Sequence, residues 1–239
     1  YDDKYFIEVS GRQDKSSRFD RVERTGDFYS VGASWVISRE NFMSSLDFVS
    51  NLKLRASYGE VGNDDIPGQY FPYLSLFGTG WSDVNPETGE QYPGIVLDND
   101  TDPGLTWETT AKKNIGLDFG FFNNRLTGSV EYYNNKSIDL FADKEVASSL
   151  GAGSSILTNI GSIKNYGWEF TLNGTIVRND NFSWSSGLNF SMDKNEIVSL
   201  SVPRQIQGTK LWVPGNSLFD FYLQESAGVD PADGAQMWY

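Results

Sequence analysis

The sequence predicts an all-β chain: an antiparallel segment of a transmembrane β-barrel, with about seven strands. Three observations predict it. Apolar and polar residues alternate with period two over long stretches, which sends successive side chains to opposite faces of a sheet. The connections between these stretches alternate short and long, as barrels alternate tight turns with long outer loops. No window approaches the roughly 18 apolar residues of a spanning helix, so any membrane must be crossed by strands.

The strands are expected at 4–12, 25–38, 52–62, 111–122, 125–138, 163–177 and 182–198. Tyr5, Ile7 and Val9 mark the first. In the second, Tyr29, Val31, Ala33, Trp35 and Ile37 alternate with Ser30, Gly32 and Ser34. In the third, Leu52, Leu54, Ala56 and Tyr58 alternate with Lys53, Arg55 and Ser57. The fourth reads Ile115, Leu117, Phe119 and Phe121 against Asn114, Gly116, Asp118 and Gly120. The fifth follows across Asn123-Asn124, a two-residue hairpin signal. Trp168, Phe170, Leu172 and Ile176 define the sixth; Phe182, Trp184, Leu188, Phe190 and Met192 define the seventh, broken only by Ser186. Most of these strands exceed the mean of roughly 5–6 residues in globular proteins. They suit the roughly 9–11 residues that cross a bilayer at a tilt.

The connection at Arg178-Asn179-Asp180-Asn181 is also short, whereas 63–110 and 139–162 are long. The long ones are expected outside, with 13–24, and the short ones inside, with 39–51. Within 39–51, Phe42, Met43, Leu46 and Val49 at helical spacing after a cap at Ser38 predict a short helix. Trp35, Trp168 and Trp184 are expected near strand ends, as part of an interfacial girdle.

Composition removes several function classes. The chain has no Cys and no His, which excludes disulfide scaffolds, thiolate zinc sites, the usual catalytic triads and most transition-metal centres. A formal net charge of -13 argues against nucleic acid as a partner. No cofactor is expected. Two alternatives survive: a soluble carbohydrate-binding β-sandwich, which also alternates, and a glycosidase working with two carboxylates. Against the sandwich, the polar face is mostly Ser, Gly, Asn and Thr, which suits a wet lumen. The chain does not start with Met and carries no export leader, so a signal is expected to lie beyond it.

An ordered set of phrases resembles SusC/RagA-like TonB-dependent receptors of Bacteroidetes. It includes Tyr5-Phe6-Ile7-Glu8-Val9-Ser10-Gly11-Arg12, Ser30-Val31-Gly32-Ala33-Ser34-Trp35 and Leu52-Lys53-Leu54-Arg55-Ala56-Ser57-Tyr58-Gly59. Trp107-Glu108-Thr109-Thr110, Asn114-Ile115-Gly116-Leu117-Asp118, Thr158-Asn159-Ile160-Gly161-Ser162, Gly167-Trp168-Glu169-Phe170 and Ala227-Gly228-Val229-Asp230-Pro231 follow in order. The resemblance implies a plugged 22-stranded barrel in the outer membrane. It also implies a SusD-like surface lipoprotein as partner, glycans or peptides as cargo, energy supplied through TonB, and no enzymatic activity. On this reading residues 1–239 belong to one barrel domain, and the plug and closing strands lie elsewhere in the receptor. A seven-strand piece leaves two open edges, which lipid alone does not tolerate.

Candidate sites fall in two places. The long loop carries Tyr70, Phe71, Tyr73, Phe77, Trp81, Tyr92 and Trp107 among many acids. Tyr73, Trp81, Tyr92 and Trp107 are the candidate substrate-stacking residues, although aromatics in such a loop more often hold it together. Lys53, Arg55, Asp118, Glu131 and Glu169 should face the lumen, there to meet the plug or to bridge one another across strands. Asp98, Asp100 and Asp102 resemble the opening of a calcium loop, but Pro103 replaces the required Gly and Thr109 the final Glu. A solvated acidic turn is the favoured reading. Gly151-Ala152-Gly153-Ser154-Ser155 is half a phosphate-binding pattern and is read as loop.

Overall fold

The computed structural model describes residues 1–66, 70–99, 101–147 and 155–239, with backbone alone at 79–83, 93, 96–99 and 145. In chain order the strands are β1 (Tyr5–Lys15), β2 (Thr25–Val36), β3 (Val49–Asn63), β4 (Leu76–Val84), β5 (Gln91–Asn99), β6 (Glu108–Phe121) and β7 (Leu126–Ile138). There follow β8 (Phe141–Glu145), β9 (Ser155–Asn159), β10 (Gly161–Arg178) and β11 (Ser183–Leu200). Four short strands end the chain: β12 (Gln205–Gln207), β13 (Lys210–Trp212), β14 (Ser226–Val229) and β15 (Gln236–Trp238).

The seven long strands form one antiparallel sheet in the order β1-β2-β3-β6-β7-β10-β11. These are the seven expected from alternation, with shifted ends. β1 continues through the polar run Arg12-Gln13-Asp14-Lys15, where backbone pairing with β2 and a Gln13–Asp27 side-chain bond hold what hydropathy does not reveal. β3 starts earlier, at Val49, across a bulge between Val49 and Asn51. The long connections are not featureless: β4 pairs with β5, and β8 with β9. The short helix expected in 39–51 is two 3-10 turns, Ile37–Arg39 and Asn41–Met43. Ser38 lies inside the first turn, whose N-cap position is Val36, so it is not a helix cap.

Directly paired residues in an antiparallel sheet share a face. One row across the sheet reads Tyr5, Trp35, Leu54, Leu117, Val130, Phe170, Phe190. Its neighbour on the other face reads Phe6, Ser34, Arg55, Gly116, Glu131, Glu169, Ser191. The sheet is thus apolar on one side and polar on the other. Ile115, Trp184, Leu188 and Phe190 are each at least half exposed, and among the described residues no second sheet covers them. A β-sandwich buries this face, so that alternative fails. No helix among the described residues is long and apolar enough to cross a membrane.

The ends with short connections descend in steps. β2 stops at Val36 opposite Lys53, while β3 runs on to Val49; β7 begins at Leu126 opposite Gly174, while β10 runs on to Arg178. Such stepping is what tilted strands in a curved wall require. This edge is lined with aromatics on the apolar side. Tyr5 stacks on Trp35 with centroids 6.3 Å apart, and Phe121 on Phe48 at 6.0 Å. Glu40 accepts hydrogen bonds from the Tyr5 hydroxyl (2.5 Å) and the Trp35 indole (3.0 Å), and Lys4 stands 3.5 Å away. Those bonds, the Tyr5 hydroxyl foremost, hold the Glu40 carboxyl below the usual carboxylate range. Trp35 and Trp184 lie near strand ends as expected. Trp168 does not: it sits well inside β10, against Tyr132 at 5.1 Å, because β10 is 18 residues long.

Candidate functional site

The polar face concentrates charge at one point. Arg55 on β3 lies between Asp118 on β6 (Nε to Oδ2, 3.3 Å) and Glu131 on β7 (Nη2 to Oε2, 2.6 Å). Glu169 on β10 is the register partner of Glu131, so a third carboxylate stands on the same face. Lys53 shares that face and places its ammonium 5.9 Å from the Phe6 ring centroid. The five residues expected on the polar side are therefore brought together, three of them as a bridge across adjacent strands. Arg55 and Asp118 remain about one-third exposed, so the bridge is partly solvated and screened.

At the opposite end from the tight turns, the long connections meet over a small aromatic core of Phe19, Phe28, Ile66, Leu105 and Trp107, with Phe141 and Leu157 packed against it. The Trp107 ring lies 5.3 Å from Phe19 and edge-on to Phe28 at 5.6 Å, and its indole N–H donates to the Arg24 carbonyl. Phe28 occupies the space a Cβ on Gly26 or Gly62 would need, which is why glycine stands at both. Polar ties brace this base. Arg18 donates to the carbonyls of Asp64 and Ile66 and pairs with Asp65. The Asn159 side chain accepts from the Thr106 N–H and donates to its carbonyl.

The candidate loop residues separate accordingly. Trp107 is 8% exposed and its ring is used in packing, which corrects its expected role as a stacking platform. Its place just before β6, beside buried Leu105, leaves no free ring face. Tyr92 lies on the β4–β5 hairpin, half exposed, its hydroxyl 3.4 Å from Glu90 and from Asn85. Tyr73 is partly buried, edge-on to Phe71 at 6.5 Å. Trp81 is a backbone position in β4 opposite Gly94.

Among the three aspartates, Asp100 lies outside the described residues, as do Gly151 to Ser154, and Asp98 is described as backbone within β5. The Asp102 carboxylate accepts from the Gly104 N–H (2.8 Å) and from the Thr158 hydroxyl, so it fastens a turn to β9. Sequence reasoning missed Phe19, Phe28 and Leu105 as the base of the loops. A lone Phe in the polar run 13–24 was the available signal.

Comparison with known proteins agrees with this geometry. Residues 1–221 match the family described as TonB dependent receptor-like, beta-barrel. TonB-dependent receptor P26 of Formosa agariphila is 41% identical over 202 residues, covering 84% of this chain and 20% of that protein. TonB-dependent receptor SusC of Bacteroides thetaiotaomicron is 34% identical over 198 residues, covering 83% and 20%. The solved structure of the RagAB peptide importer in its closed-closed state superposes with a TM-score of 0.84 at 31% identity, over 100% of this chain and 26% of the matched one. The chain thus spans about a fifth to a quarter of the length of these relatives. By its sheet, its two-faced strands and these matches, the chain belongs to the TonB-dependent receptor β-barrel family, of the SusC/RagA kind, and forms part of the wall of an outer-membrane receptor.

Proposed function

We propose that this segment serves an importer that carries glycans or peptides through the barrel, with the polar face turned to the lumen and the apolar face to lipid. The observation that carries the reading is the separation of a mainly apolar face from a mainly polar one across seven neighbouring strands. The outer loops, with Tyr73, Trp81 and Tyr92 at or near the β4–β5 hairpin, take part in capture beneath a SusD-like lipoprotein. Arg55, Asp118, Glu131 and Glu169, with Lys53, line the path and meet the plug contributed by the rest of the receptor. TonB acts through that remainder, and the cargo leaves chemically unchanged. Homologues named as receptors and a peptide importer support transport over hydrolysis.

The test is uptake of fluorescent oligosaccharides and peptides by cells whose full receptor carries Tyr73→Ala and Tyr92→Ala. Uptake of one cargo class should fall several-fold and stop when the proton gradient is collapsed. Unchanged uptake with both changes would remove the loop from capture, and uptake without a gradient would remove TonB.

A further inference from the structure

The apolar face is interrupted at its outer end by a cluster of lysines. Directly above the row of Ile115, Tyr132, Trp168 and Met192 comes Tyr58, Lys113, Asn134, Tyr166 and Lys194. The next row on the same face is Glu60, Ala111, Lys136, Lys164 and Glu196. Four lysines therefore stand on four adjacent strands, on the side away from the Arg55 bridge, just above the apolar band. In a chain with 19 basic and 32 acidic residues, this is a local reversal of sign.

Their neighbours neutralise only one of the four, Lys164. Lys136 and Lys164 are directly opposite, an arrangement that destabilises a sheet unless a counter-charge is supplied. Glu196 reaches Lys164 at 2.8 Å. Glu60 is engaged by the Tyr29 and Tyr58 hydroxyls. Among the described residues no carboxylate pairs with Lys113, Lys136 or Lys194. Tyrosines form the floor: the Lys164 ammonium lies 4.8 Å from the Tyr166 ring centroid and that of Lys113 5.8 Å from Tyr58. Long lysine stems on an apolar surface carry their charge outward to the polar boundary. What waits at that boundary, outside the barrel and beside lipid, is a headgroup layer.

We propose that Lys113, Lys136, Lys164 and Lys194 form a cradle for the phosphate groups of an anionic lipid of the outer leaflet. The charge is complementary, and the cradle is continuous with the lipid-facing band. Phosphate oxygens accept several charge-assisted hydrogen bonds at once, which suits ammonium groups on neighbouring strands. The inference rests on the orientation proposed above, with the apolar face in lipid and the long loops outside.

The test uses the full receptor in phosphatidylcholine nanodiscs titrated with diphosphorylated lipid A or its dephosphorylated form, with bound lipid counted by native mass spectrometry. The diphosphorylated form should bind preferentially, and Lys136→Gln with Lys194→Gln should weaken it on the order of tenfold. Lys53→Gln, on the opposite face, should leave it unchanged. Equal binding of the two lipids, or no effect of the double change, would overturn the cradle while leaving the orientation intact. Loss of binding in Lys53→Gln alone would overturn the orientation itself.

Discussion

Arg55 shows how a single side chain organises the polar face. It lies between two carboxylates, with the third, Glu169, beside them. Arg55→Gln should therefore cost about 1–2 kcal/mol, at the lower end for charge-assisted bonds because the group is partly solvated. Urea unfolding of the receptor in vesicles would measure it, and Glu131→Gln on top of it should cost little more. Trp107 makes the contrasting case: Trp107→Ala removes the centre of the loop base and should cost about 3–5 kcal/mol locally. Proteolysis of the loops should accelerate before any strand is lost. Glu40 gives a pH dependence. Its folded carboxyl ionises below the ordinary Glu value of about 4.3, so its contribution is complete above that value. The contribution is lost as pH falls through the depressed value. Tryptophan emission from Trp35 should report the loss, and Glu40→Gln should abolish the transition.

Among elements, the strands were legible because period-two alternation is written directly in residues such as Ile115, Leu117 and Phe119. The ends of β1 and the hairpins β4–β5 and β8–β9 were not. There, pairing by backbone groups decides the structure, and side chains such as Arg12 and Asp14 say little about it. The 39–51 link misled as well: Phe42, Met43, Leu46 and Val49 are spaced like a helix, but the backbone closes only two 3-10 turns and Val49 already belongs to β3. The turn after β6 holds Phe122, Asn123 and Asn124 all at positive φ, which Asn adopts far more readily than Phe. Phe122 stays there because its N–H donates to the Phe48 carbonyl and its ring meets the Phe48 and Phe121 rings. Between β10 and β11, Gly167 faces the Met192 carbonyl so closely that a Cβ would collide with backbone. Gly167→Ala should disturb that pair of strands, read as lower yield of heat-resistant barrel on unheated gels, while Gly174→Ala, whose Cβ would meet the Leu126 side chain at an ordinary 3.7 Å, should not.

For the whole sheet, the two faces and the gathering of the short connections at one end were legible in sequence because loop length and face polarity are independent signals. The site was less so, since Trp107 and Tyr92 look alike in a linear string and differ only in what folds over them. The bridge of Arg55, Asp118 and Glu131 was readable as charges on one face able to pair across strands, though not which of them pair. The stacked base of the outer loops has a further consequence. Phe19, Phe28, Leu105 and Trp107 fix where each loop departs from the wall, whereas residues 70–99 hang beyond that knot as a separate hairpin. Fixed socket and exchangeable bit are thus different stretches of sequence. Transplanting 70–99 from a relative, with Phe19, Phe28, Leu105 and Trp107 kept in place, should give a receptor that folds as before and takes up the donor's cargo in an uptake assay. A lineage could change diet by the same cut.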